Sequence, residues 1–387
     1  MSLRLGIVAD EFFAKESGRM GGFGWAARQV AGVFTPPDLG VRVFFLAAHS
    51  FRRGRAGVDT LHDTPIIYRG AGPRYEHALR RSRLDLLLTV DYRPRYRRII
   101  DALARVPVVV WIRDPRSPEA QARVATLSVP GDPSPPQGIA PIDCRSLGDL
   151  AAARKREGGA MLYCTPAPSL TGELPATYGI PSDDCVFLPN ITAPGNPMAA
   201  KSPTPLAVFL GRLDPIKRPW LFVELARLFP AVEFVMLGQA HFTGPGSWRP
   251  DDLPPNVRLL GHVDGATKWR LLSSAWLLVN TSIHEALPTS VLEALSCATP
   301  ILSVTDREGV ASRFGSVVEW HGGDGMAGLE ALAASFRRLV DDGPLRTRLG
   351  DEGRAWVAGT HDAATFLSAF DRLCARAGVR RAAMAVC

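Results

Sequence analysis

The chain has 387 residues, 46% of them hydrophobic and 21% charged, and carries a formal charge of +7. This balance excludes a disordered chain, and the length suits two packed cores of ordinary size, so two domains are the default expectation. Six cysteines (144, 164, 185, 297, 374 and 387) show no C-x-x-C and no Cys/His pairing at metal spacing, which argues against a zinc site or a disulfide framework and for reduced thiols in a cytoplasm.

The first element, RLGIVAD at 4–10, enters a strand-like apolar run at once, without the charged and then apolar segments of a secretory leader. No uncharged run along the chain reaches the ~18 residues of a membrane span. Further short apolar runs follow at 41–48, 84–91, 106–114, 160–166 and 185–190, each succeeded by a longer helical pattern. Between 69 and 105 ten arginines face four acids. That stretch is either a patch that attracts anions, such as phosphorylated substrates or an acidic membrane surface, or a solvated face in a chain that uses arginine and holds only five lysines. The Pro/Gly-rich stretch SVPGDPSPPQGIAP at 128–141 interrupts the first half as a functional loop or a surface insertion.

NITAPGNPMAAKSPTP at 190–205 has linker chemistry, so the domains are expected at 1–195 and 196–360. Strand-like runs resume at 206–212, 232–238, 256–261, 276–282, 300–304 and 315–320, and 361–387 reads as one amphipathic helix with a tail. Strands that are apolar on both faces and alternate with helices predict two doubly wound α/β domains with parallel sheets. In such sheets ligands bind at the carboxyl ends of the strands, and the cleft between two facing domains is the natural site.

Unusual residues fall at those ends. In FLGRLDPIKRP (209–219) a strand stops at Gly211, and Arg212 and Lys217 flank a turn that opens a helix, an arrangement suited to clamp a diphosphate. In HEALPTSVLEALS (284–296) Glu285 and Glu293 straddle a helix start at Pro288 whose amides and positive dipole end are free to face a ligand. Each acid also has an ordinary explanation: Ser290-x-x-Glu293 matches a capping box, and Glu285 suits a solvated loop.

Taken together, G-R-x-x-x-x-K at 211–217 followed by E-x7-E at 285–293 resembles the retaining glycosyltransferases of the GT4 family, over the whole C-terminal domain. GRMGGFGWAARQVAGVF near the N-terminus and CVFLPNIT ahead of the linker are similar to that family's Gly-Gly loop and Pro-Asn segment. The resemblance implies the GT-B fold, two Rossmann-like domains facing across a cleft, with the terminal helix crossing back to the first. It implies that Gly211, Arg212, Lys217, Gln239, Ala286, Leu287, Pro288 and Thr289 line a donor site. Glu293 would accept hydrogen bonds from ribose hydroxyls, Glu285 would sit beside the transferred sugar, and Gly21 and Gly22 would let backbone approach phosphate and acceptor. Where relatives carry a histidine after the fourth strand, VVVWIRDPR offers Arg113 and Asp114, which makes Asp114 either the residue that orients the acceptor hydroxyl or a turn aspartate before Pro115. EALP also stands where relatives have E-G-F, so Ala286 replaces the customary glycine.

The expected activity is metal-independent transfer of a sugar from a UDP- or GDP-sugar co-substrate to a glycan, lipid-linked or small-molecule hydroxyl, with no cofactor. No D-x-D occurs in the chain. The expected location is cytoplasmic, with peripheral contact to an anionic inner membrane face, and no nucleic-acid role, since the arginine stretch lacks a reading motif. Two other classes are weighed. GFGWAA at 22–27 satisfies a dinucleotide fingerprint, but lies a dozen residues past the first strand, and the second strand ends without an acid. A non-catalytic module that binds nucleotide or phosphorylated glycan would not need all four charged donor-site positions.

Overall fold

The computed structural model describes residues 2–12, 21–48, 58–61, 64–67, 73–139, 144–193, 195 and 200–380. Its contacts divide the chain into two compact units.

Among the described residues the first unit holds an eight-stranded sheet in the order β3-β4-β2-β1-β5-β6-β7-β8. The strands are β1 (Leu3–Val8), β2 (Val41–Leu46), β3 (Val58–Leu61), β4 (Thr64–Ile67), β5 (Leu86–Val90), β6 (Val108–Trp111), β7 (Met161–Thr165) and β8 (Cys185–Phe187). All neighbours run parallel except β3 on β4. Alternation along the strands sorts their apolar side chains onto two faces. Leu5, Ile7, Leu88 and Trp111 join one core, and Val8, Leu87, Val110 and Ile112 join another, so both faces are covered. The β3–β4 hairpin was not foreseen. Its strands are four residues each and the second contains Pro65, which reads as a turn and is tolerated here because β4 pairs with β2 only at Ile66 and Ile67.

The second unit holds β9 (Leu206–Leu210), β10 (Glu233–Leu237), β11 (Val257–Leu259), β12 (Leu277–Asn280), β13 (Ile301–Ser303) and β14 (Gly315–Val317), all parallel, in the order β11-β10-β9-β12-β13-β14. The carboxyl ends of β9, β10 and β12 therefore lie along one margin, in the order β10, β9, β12. The loops that leave them carry the residues singled out above.

The units are not contiguous in sequence, which alters the expected division at 195. Arg116–Pro141 groups with Thr192–Asp362 in the second unit, while the chain from Ala363 belongs to the first. The physical reason lies in the side chains. In helix Pro118–Ala125, capped by Ser117, and just beyond it, Val124, Leu127 and Val129 complete the core that holds Leu213, Ile216 and Trp220. Helix Ala363–Arg376 buries Phe366 and Phe370 beside Phe34 and Trp111 of the first unit.

Candidate functional site

In the second unit the chain leaves β9 at Gly211 and makes a tight turn, Pro215–Lys217, before helix Pro219–Leu228. Arg218 closes that turn with a left-handed φ of 44° and is 1% exposed. Its guanidinium donates from Nε to the Thr281 carbonyl (3.0 Å) and from Nη1 to the His321 carbonyl (2.8 Å), and burial lowers its pKa to about 10. Thr281 returns the contact: its hydroxyl donates to the carbonyls of Lys217 (2.7 Å) and Arg218 (3.0 Å), and Ile283 N donates to Ile216 O (3.0 Å). Two loops from neighbouring strands are thus laced together. The consequence is local and definite: Lys217 Nζ contacts Glu285 Oε1, both side chains being partly exposed. Arg307 Nε donates to the Glu285 carbonyl (3.0 Å) and holds that loop from the far side. Ala286 and Leu287 are buried behind it, while Pro288 and Thr289 stay partly open.

Arg212, more than a third exposed, lies 3.2 Å from Asp214, whose other oxygen accepts from His241 N (3.0 Å). Gly211 N donates to Leu237 O and Leu213 N to Gln239 O, so Gln239 is placed beside the Arg212 turn. Gly238 is required there by close approach, because a Cβ would overlap the Gly211 carbonyl oxygen. Glu293 sits on helix Thr289–Ser296, which Pro288 precedes as cap rather than as first residue. The capping-box alternative fails: the helix has no side-chain cap bond, and Glu293 Oε1 instead lies 2.7 Å from Lys268 Nζ in a pair buried on both sides. Burial pushes the Glu293 carboxyl above the usual range, against the pull of Lys268.

In the first unit, helix Gly22–Val33 starts beside Glu11, whose Oε2 accepts from Phe23 N (3.1 Å) and Gly24 N (3.4 Å). At this helix start, where Gly21 and Gly22 were expected to let backbone approach phosphate and acceptor, two amides are met by the protein's own carboxylate. A Cβ on Gly21 would crowd that carboxylate, whereas one on Gly22 meets open space. Asp114 follows β6 and is partly buried. Beside it Asp91, after β5, adopts a left-handed φ of 61° and is buried; burial raises its pKa to about 6, and Asp114 adds to the rise. Arg113 is buried with its guanidinium over the Trp111 ring (4.4 Å to the centroid), and its amide approaches Asp91 Oδ1 (3.4 Å). The arginine stretch, where described, spends part of its charge in exposed pairs such as Arg80–Glu76 and Arg97–Asp101; residues 69–72 lie outside the described residues.

Residues 196–356 match the family model described as "Glycosyl transferases group 1". Residues 196–356, within the second unit, are a group 1 glycosyltransferase domain. No curated protein matches the chain. Among solved structures it is similar to sucrose-phosphate synthase from Thermosynechococcus elongatus, at 15% identity and TM-score 0.67, over 97% of this chain and 100% of that one. It is similar to Anabaena HepE in complex with UDP-glucose (15%, TM-score 0.65, 96% and 100%) and to WaaG, a glycosyltransferase involved in lipopolysaccharide biosynthesis (16%, TM-score 0.61, 95% and 99%). At such identities the likeness establishes the GT-B fold of this glycosyltransferase.

Of the residues the sequence proposed, the glycosyltransferase brings Gly211, Arg212, Lys217, Gln239 and Glu285 to one margin of its second sheet, with Glu293 on the helix behind. Asp114, Gly21 and Gly22 stand in the other unit. Lys268, Asp214, Arg218 and Thr281 escaped the sequence reading because each acts on a partner 25 or more residues away, or through backbone carbonyls. Glu11 and Asp91 carried a weak signal, an acid just past a buried strand. Among the described residues no group of three or more His, Cys, Asp or Glu is placed to hold a metal, and no helix is long and apolar enough to cross a membrane.

Proposed function

We propose that this glycosyltransferase moves a sugar from a UDP- or GDP-sugar to a hydroxyl of a glycan or lipid-linked acceptor, with retention at the anomeric carbon and without a metal. The observation that supports it most is the Lys217–Glu285 contact beside Arg212, where two strand ends meet. The Lys217 ammonium is held by the Glu285 carboxylate. A diphosphate arriving at Arg212 competes for Lys217 and frees Glu285 to accept hydrogen bonds from sugar hydroxyls.

As the C1–O bond breaks, its electron pair leaves with the phosphate, and the acceptor oxygen bonds C1 on the same face while its proton passes to the departing phosphate oxygen. Charge thus grows where Arg212, Lys217 and the helix start after Pro288 stand, so these groups bind the transition state more tightly than the substrate. Loss of either cation is expected to cost about 2–4 kcal/mol of barrier, by analogy with lost oxyanion donors. Glu293, held by Lys268, keeps its second oxygen for ribose hydroxyls. Metal independence draws on the missing D-x-D: activity that vanished with chelator and returned with manganese would refute it.

Similarity to a UDP-glucose complex and to a lipopolysaccharide glycosyltransferase supports a nucleotide-sugar donor and an envelope glycan as acceptor. With peripheral contact at an anionic inner membrane face, the arginine-rich stretch would assist such an acceptor. A thermal-shift series with UDP, GDP, ADP and CMP and their sugars tests the donor: a bound nucleotide at a hundredfold its Kd stabilises by about 2.7 kcal/mol. Glu285→Ala then separates an enzyme, which loses turnover, from a binding module, which does not.

A further inference from the structure

The Pro/Gly-rich stretch that follows β6 in sequence belongs to the second unit and has a partner within it. Beyond Val129 it runs along the loop that follows β10. Asp132 Oδ2 accepts from Gly246 N (2.6 Å), while its Oδ1 accepts from Ser134 N (2.8 Å). Gln137 N donates to Gly246 O (2.7 Å) and Gln137 Nε2 to Pro245 O (3.0 Å). The two loops touch so closely that a Cβ on Gly246 would overlap the Pro135 carbonyl and one on Gly138 would overlap the Phe242 ring. The hydrogen bonds that Asp132 accepts also hold its carboxyl below the usual range, as expected of a carboxylate that stays ionised in this role.

The other end of the same loop is tied to the diphosphate turn. Gln239 O accepts from Leu213 N, and His241 N donates to Asp214, the partner of Arg212. Residues 239–247 are therefore pinned at both ends: by Asp214 beside Arg212, and by Asp132 and Gln137 from a stretch 108 to 114 residues earlier in the chain. Along the sheet margin this loop lies beside Arg212 on the side away from Glu285. If the sugar is at Glu285 and the diphosphate at Arg212, the nucleoside extends toward this loop.

We infer that Asp132 and Gln137 are positioning residues for the donor nucleotide: they hold the 239–247 loop as a pre-ordered wall at its nucleoside end. The inference rests on the donor-site reading above. A loop that contains Gly244, Pro245 and Gly246, and whose one large apolar side chain, Phe242, packs outward against Gly138, has little apolar surface of its own to hold it in one conformation. Without its two anchors it must be ordered by the ligand, which weakens binding and blurs discrimination between bases while leaving the reacting groups in place.

The test is calorimetric titration of UDP and GDP into the full chain, together with donor KM and kcat. Wild type, Asp132→Ala, Asp132→Asn and Gln137→Ala are compared, each checked for its melting temperature. Expected are roughly tenfold weaker nucleotide binding and a raised donor KM for the alanine variants, as for loss of one net hydrogen bond. The preference between UDP and GDP should narrow, kcat should stay within about twofold, and Asp132→Asn, which keeps an acceptor oxygen, should recover part of the affinity. If Asp132→Ala does not fold, Gln137→Ala carries the test, since its backbone bond to Gly246 survives. Folded variants with wild-type affinity and wild-type base preference overturn the inference, as does a fall in kcat at unchanged KM. Wild type that binds neither nucleotide overturns the donor-site reading itself, a result visible before any variant is compared.

Discussion

Glu293 and Lys268 are 5% and 5% exposed, and their contact at 2.7 Å is a balance of two large opposing effects. Burial favours the neutral acid, the ammonium favours the anion, and the direction of the Glu293 shift says that burial is the larger. Glu293→Ala strands a buried ammonium, so about 3–5 kcal/mol of stability should be lost in urea unfolding. Joining it to Lys268→Met should restore much of that, because the pair itself is worth far less than its broken half. Asp91 supplies the pH dependence. It keeps its proton up to about pH 6 in the folded chain, whereas an unfolded aspartate releases it near 3.8. Between those values the native state binds more protons, so this group makes stability fall as pH rises from about 4 to about 6, by roughly 3 kcal/mol in all. Asp91→Asn should flatten that slope and leave the protein more stable at pH 7. A slope unchanged by the substitution would place the titration elsewhere. The E-x7-E and G-R-x-x-x-x-K spacings exposed Glu285, Arg212 and Lys217 in one dimension. Lys268 could not be found that way, since its bond to Glu293 crosses between two helices.

Elements position these side chains through backbone, and glycines show where backbone is close. Gly238→Ala would drive a methyl into the Gly211 carbonyl at the ends of β9 and β10, so a loss of about 1–3 kcal/mol is expected, with weaker nucleotide binding because the Arg212 turn shifts. Gly22→Ala is the contrast. Space is open there and the position is the first of a helix, so stability should hold or rise by about 0.5 kcal/mol. Falling activity in that variant, at unchanged melting temperature, would mark Gly22 as a contact for substrate. Twelve strands were legible as short apolar runs, and the central ones, such as β1, β5, β6, β9 and β10, are apolar because a parallel sheet covered on both faces demands it. The β3–β4 hairpin was not, since strands of four residues with an internal proline carry neither length nor clean alternation.

Across the molecule the chain passes between its two units four times, after Pro115, Pro141, Ile191 and Asp362. Each unit thus depends on sequence remote from its main body. Phe366→Ala, in the terminal helix, removes a fully buried ring beside Phe34 and Trp111 of the first unit. About 3–5 kcal/mol should be lost, while calorimetric affinity for nucleotide in the second unit stays unchanged. The sequence by itself determined the α/β class, the two doubly wound sheets and the grouping of Arg212, Lys217 and Glu285 at strand ends. Hydrophobic period and loop chemistry are local properties, readable within a window of residues. Only the tertiary structure decided that 116–141 completes the second core, that Glu293 pairs with Lys268 and that Glu11 meets a helix start. Those outcomes turn on which buried polar group finds a partner and which apolar face finds a cover, and both are settled between segments far apart in the chain.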